Sequence, residues 1–130
     1  MKYIVLLFFT VFCSCSKTVV SLSKDDLAGV WILKQVSGGI AGSIKTPTDQ
    51  ITLNFETSGK YTSTLNYAIT AEGRYTIAKA GEPNYYYSET LINLISDSSQ
   101  VTYGITLQND SLSLSEGCCD QFNYLYVRQK

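Results

Sequence analysis

The chain of 130 residues has no histidine, two prolines, one tryptophan and one methionine. Histidine is the side chain whose ordinary pKa lies closest to neutrality, so its absence removes the usual general base. It also excludes Ser-His-Asp and Cys-His nucleophile pairs within one chain. A structural zinc site wants four nitrogen or sulfur ligands, and the four cysteines, Cys13, Cys15, Cys118 and Cys119, stand at opposite ends of the chain. Charge is sparse and scattered, with ten basic and eleven acidic residues and no run beyond Asp25-Asp26. There is no basic stripe for nucleic acid and no acidic tail or polybasic membrane patch. Asp49, Glu56 and Glu72 read as solvated carboxylates, and spacing fixes no carboxylate pair on one strand face. Gly38-Gly39-Ile40-Ala41-Gly42 lacks the lysine and following helix of a phosphate-binding loop. No catalytic residue, metal site or cofactor is expected.

What is present begins with an export signal. Lys2 is followed by an apolar run from Tyr3 to Phe12 and then by Cys13-Ser14-Cys15-Ser16. Ten residues are too few for a bilayer-spanning helix, which needs about 20, but they suit the apolar region of a secretory signal. The junction resembles a bacterial lipobox, in which a small residue precedes the cysteine that is lipidated and becomes the mature N-terminus. Ser14 makes Cys15 the expected lipidation site. Phe12 is bulky before Cys13, which is the fallback, and cleavage without lipid is the plain alternative. Phe12 and Cys13 depart from the aliphatic and small residues usual at their places. Each buried methylene of a lipid contributes about 0.8 kcal/mol, so several acyl chains anchor durably. The expected organisation is a signal peptide over residues 1–14, a lipidated N-terminus and tether over 15–24, and one domain over 25–130. Cys118 and Cys119 are either a strained vicinal disulfide or two thiols on opposite faces of a strand.

Ser23 followed three residues later by Asp26 is a capping box and predicts one helical turn over residues 25–28, ended by Gly29. Beyond it the apolar period is close to 2, as in half-buried strands. Trp31 and Leu33 share one parity; so do Leu53 and Phe55, Tyr61 and Leu65, Tyr75 and Ile77, Tyr103 and Ile105, Leu112 and Leu114, and Tyr124 and Tyr126. Tyr67 continues the parity of Leu65. Residues 85–95 are apolar on both parities, so that strand is buried on both faces or bent. Thr57-Ser58-Gly59, Asn109-Asp110 and Glu116-Gly117 read as short turns. Gly38 to Pro47 and Gly81 to Asn84 read as longer breaks. Connections this short demand antiparallel neighbours. The predicted fold is all-β, a small up-and-down antiparallel barrel of eight strands; the rival is a two-sheet sandwich.

The ordered set Gly29-Val30-Trp31, Phe55 to Gly59 and Tyr61, Gly73-Arg74-Tyr75, Leu112-Ser113-Leu114 and a late Arg128 resembles the small bacterial lipocalin-like lipoproteins over about residues 25–129. The resemblance implies a membrane-attached envelope protein whose barrel holds a small apolar ligand; Ser16-Lys17 after Cys15 carries no acidic run that would hint at surface display, so a periplasm-facing protein is expected. The lining expected is Leu53, Phe55, Tyr61, Leu65, Tyr75, Ile77, Tyr103, Ile105, Leu112, Tyr124 and Tyr126. The alternative is a barrel filled by its own side chains, serving as an interaction or inhibitor module for an envelope protein. An enzyme using tyrosines and carboxylates is the third reading. A tryptophan early in the first strand and an arginine late in the last become neighbours if the barrel closes, so Trp31 and Arg128 are expected to touch and seal the base. The ten tyrosines, with Tyr85, Tyr86 and Tyr87 consecutive, either fill the barrel with hydroxyls at the rim or grip a ligand. A continuous apolar pocket of about 300 Å³ or more favours the first reading, and a packed interior favours the second.

Overall fold

The computed structural model describes residues 21–82, 85–86, 88–117 and 120–130. The expected signal peptide over residues 1–14, with Cys15, Tyr87, Cys118 and Cys119, lies outside the described residues.

A short helix, α1 (Lys24–Leu27), precedes the strands β1 (Gly29–Gly38), β2 (Ser43–Lys45), β3 (Ile51–Phe55), β4 (Lys60–Leu65), β5 (Ala68–Lys79), β6 (Thr90–Ile95), β7 (Gln100–Gln108), β8 (Ser111–Ser115) and β9 (Phe122–Arg128). Among the described residues these nine strands form one antiparallel sheet in the order β2-β1-β3-β4-β5-β6-β7-β8-β9, and β1 also pairs with β9. That last pairing runs from Trp31 opposite Arg128 to Gly38 opposite Phe122. It closes eight strands into a lipocalin-like up-and-down barrel and excludes the sandwich. β2 is an addition to the expected eight. On β1, β3 pairs only with the segment Gly29–Ile32, and β2 lies along the upper end of β1 at Val36–Gly38 instead.

Alternating parity places Trp31, Leu53, Phe55, Tyr61, Tyr75, Ile92, Ile105, Leu112, Leu114 and Tyr126 in one core, with Leu27 beneath them. A bulge in β1 between Leu33 and Gln35 resets the parity. It turns Val36 inward, so the strand keeps an apolar inner face past Lys34. Residues 91–95 resolve their two-sided apolarity simply. Ile92 and Leu94 are buried inside, while Leu91 and Ile95 are half-buried on the outer face. Leu91 stands opposite Gly104, and the connection between β5 and β6 folds over that outer wall. There the Ser88 hydroxyl donates to the Ile105 carbonyl at 2.8 Å and the Ser115 hydroxyl to the Tyr86 carbonyl at 3.1 Å. A Cβ at Gly104 would fall 2.9 Å from the Tyr86 carbonyl oxygen, so the bare backbone makes room for this cover.

The base is sealed by α1. The turn spans Lys24–Leu27, one residue earlier than the sequence indicates, because Ser23 itself is the N-cap, with both halves of the capping box made by Asp26. Leu22, assigned to the tether from sequence, packs against the core. It is apolar and sits directly beside the capped turn. At the other end, the mouth, the β4–β5 connection is a two-residue turn at Asn66 and Tyr67, both with positive φ (49° and 70°). Tyr67 therefore leaves the strand parity and is 81% exposed. Asn66 tolerates left-handed backbone because its side chain bonds locally. Its carbonyl oxygen accepts from the Gln50 backbone at 2.9 Å and its amide donates to Asp49 at 2.9 Å.

Candidate functional site

The barrel interior divides into a filled base and a hollow upper half. In the base Trp31 is fully buried, and its indole Nε1 donates to the Leu27 carbonyl at 2.8 Å. The Arg128 guanidinium carbon lies 4.2 Å from the indole centroid. Its Nη2 donates to the Asp26 carbonyl at 2.7 Å and its Nη1 to the Ala28 carbonyl. The three carbonyls at the C-terminal end of α1 thus all have partners, as a helix end packed against a core requires. Beside them Phe55 and Tyr75 meet edge to face with centroids 5.0 Å apart, and the Tyr75 hydroxyl donates to the Glu56 carbonyl at 2.8 Å.

Above this plug lies a chamber of about 260 Å³, lined by Leu53, Tyr61, Ser63, Ala71, Leu94, Ser99, Val101, Tyr103, Leu114, Tyr124 and Tyr126. Five of these, Leu53, Tyr61, Tyr103, Tyr124 and Tyr126, belong to the lining expected from sequence. The other six expected residues lie elsewhere. Phe55 and Tyr75 form the base plug, and Ile105 and Leu112 are buried in the core away from the chamber. Ile77 is only partly buried against the core. Leu65 has the inward parity but ends its strand at the rim and is 40% exposed. Parity says which face a side chain is on; it does not say at which height along the axis. The unforeseen lining residues, notably Ser63 and Ala71, stand opposite each other on β4 and β5. Their small side chains at inward positions are the sequence signal for a void.

A second hollow of about 460 Å³ adjoins at the mouth, lined by Leu33, Val36, Ile51, Phe122 and Tyr124 together with the segment Lys45 to Asp49. Tyr124 belongs to both walls. A larger groove of about 590 Å³ runs along the corner of β4, β5 and β6 between Glu56, Lys60, Glu72, Arg74 and Asp97. It is an open, mixed-charge surface that water fills as well as any ligand, and the inner chamber is the better candidate despite its smaller size.

The chamber has a definite electrostatic character. Among the described residues its lining holds four phenols and two serine hydroxyls and no lysine or arginine. Tyr103 and Tyr124 meet edge to face at 6.0 Å. The Tyr124 hydroxyl donates to the Glu116 carboxylate at 2.6 Å. Burial is the chief cause that pushes the Tyr124 and Tyr126 phenols well above their ordinary range. Glu116 adds to the shift at Tyr124 through the hydrogen bond and its charge, and its charge also raises Tyr103. Because the folded protein holds these phenols neutral beyond the usual value of about 10, their contribution to stability is complete below that pH and is lost as pH rises above it. The urea midpoint is expected to fall as pH rises above about 10, and Tyr126→Phe is expected to flatten that fall. An unchanged slope in the variant would assign the alkaline loss to other groups.

No family model, curated protein or solved structure matches the chain. Among the described residues no cluster of histidine, cysteine, aspartate or glutamate is arranged to hold a metal ion, and no helix is long and apolar enough to cross a membrane.

Proposed function

We propose that the chain is an exported lipocalin-like lipoprotein, anchored through lipid on Cys15 and facing the periplasm, whose barrel carries a small ligand. The observation that supports the cargo reading is the unfilled chamber in the upper half of the barrel, above a packed base. Its volume, about 260 Å³, lies just under the roughly 300 Å³ at which pockets for drug-sized ligands begin. The occupant is therefore small, a single ring with a short chain, and the phenol and serine hydroxyls ask it to carry a polar group as well as an apolar body. The anchor rests on the apolar run and the Ser14-Cys15 junction.

A second reading, docking of an envelope protein, draws on the apolar side chains displayed around the mouth: Ile40 is 93% exposed, Tyr67 81% and Ile69 63%. Native mass spectrometry of the chain purified from its own host tests both. The expected species begins at Cys15, carries acyl chains and retains a small molecule. Cys15→Ser is expected to abolish the lipid mass and release the protein from the membrane fraction. An intact 14.4 kDa chain without lipid would refute the anchor, and a protein-sized adduct in place of a small one would favour the docking module.

A further inference from the structure

The chemistry of the chamber wall narrows its cargo further, on the reading that the chamber is a binding site. The Tyr124 proton is committed to Glu116, so the phenol oxygen offers lone pairs to any group beside it. Among the described residues no hydrogen bond within the protein engages the hydroxyls of Tyr103 or Tyr126. Tyr103, Tyr124 and Tyr126 nevertheless come together on the β7–β9 side of the chamber, with Tyr61 lining it from β4 and the Glu116 carboxylate bonded to Tyr124. Among the described residues no cationic side chain lines the chamber to answer that charge. Arg128, the basic residue nearest in sequence to these β9 tyrosines, is committed to the carbonyls of α1 and to Trp31 at the base.

A desolvated anion placed here would meet a carboxylate and no counter-charge, an arrangement that costs several kcal/mol. A neutral ring would be accepted for its apolar surface. A cation would gain twice, from the ring faces that attract ammonium groups and from Glu116 through the polarised Tyr124 phenol. We propose that the chamber selects a small protonated organic amine, its ammonium group lodged among Tyr103, Tyr124 and Tyr126 and its apolar body against Leu53, Leu94 and Leu114.

Three probes of one shape test this: 2-phenylethylamine, 2-phenylethanol and phenylacetate, titrated into the full chain at neutral pH and followed by calorimetry and by tyrosine fluorescence. The amine is expected to bind at least tenfold more tightly than the alcohol, and the acid not measurably. Glu116→Gln, which keeps an acceptor for Tyr124 while removing the charge, is expected to weaken the amine about tenfold and leave the alcohol unchanged. Tyr103→Phe provides a second variant that keeps the ring; it is expected to weaken the amine with the alcohol again unaffected. Acid binding equal to amine binding would overturn the cation preference and leave the chamber a binding site, as would a Glu116→Gln protein that still binds the amine fully. Failure of all three probes to bind would overturn the chamber reading and the cation preference together.

Discussion

Trp31→Ala is expected to lower the free energy of unfolding by about 3–5 kcal/mol, the range for truncating a fully buried large aromatic. Three contributions converge on this side chain. The indole is completely buried and is the largest of the fully buried side chains. Its Nε1 satisfies the Leu27 carbonyl, and its face carries the Arg128 guanidinium. Removing the ring would leave a void beneath the core, orphan one carbonyl at the end of α1 and loosen the arginine that holds two more. A domain of this size has about 5–15 kcal/mol in total, so the variant is expected near the edge of folding. Urea titration at neutral pH measures the loss directly. Arg128→Lys keeps the charge but not the planar fork that reaches both Asp26 and Ala28, and a cost of about 1–3 kcal/mol is expected. The double variant should cost less than the sum of the two, because each removes the contact between them. A loss below about 1 kcal/mol for Trp31→Ala would mean that the β1–β9 hydrogen bonds alone close the barrel.

The barrel was readable because nearly every strand alternates and nearly every connection is short. Trp31, Phe55, Tyr75 and Leu112 each sit on the parity that the structure turns inward. Ser23 and Asp26 announced the capped turn to within one residue. The features that escaped share a physical cause: they depend on neighbours the local pattern does not contain. The bulge after Leu33 shows only in the register against β9. The bulge that places Ser63 opposite Ala71 but Thr64 opposite Ile69 shows only in the register against β5. Asn66-Tyr67 carries no glycine, so its turn is hidden inside a run of strand-forming residues. Strand stagger, which follows from closing a barrel, decides that Phe55 plugs the base while Leu53, on the same face of the same strand, borders the chamber.

The same stagger accounts for where the void lies. Bulky inward side chains crowd the base, where Trp31, Phe55, Tyr75 and Leu27 meet. Higher up, the inward positions of β4 and β5 fall to Ser63 and Ala71, and Ser99 closes the same wall. Tyrosines facing them from β7 and β9 reach into the gap without filling it. On the proposed cargo reading, a chamber formed by small residues opposite phenols, which have few rotatable bonds, would need little ordering to bind.

Gly73→Ala is expected to destabilise the domain by about 1–3 kcal/mol, the overpacking range. β5 serves two partners in succession. Its first half pairs with β4 as far as Arg74 opposite Lys60, and its second half pairs with β6 from Arg74 opposite Ile95 onward. Gly73 is the last residue before the chain crosses from one partner to the other. A Cβ there would lie 2.0 Å from the Ile95 carbonyl oxygen and 2.9 Å from its carbonyl carbon. These are backbone atoms, so no rotamer change relieves the clash; the corner itself must open. For a domain of about 100 residues each kcal/mol lowers Tm by roughly 4–8 °C, which a thermal melt resolves easily. Gly81→Ala is the control, because nothing lies within 4 Å of a Cβ at that position, and its effect should stay within about 0.5 kcal/mol. Gly73 also stands opposite Tyr61 across the β4–β5 pair, and Tyr61 is part of the chamber wall. Opening the corner should therefore weaken binding of the neutral probe 2-phenylethanol along with stability, whereas Trp31→Phe, which disturbs only the base, should leave that affinity intact. If Gly73→Ala melts with Gly81→Ala, the corner yields without cost, and the rigidity argued for the chamber on that side fails with it.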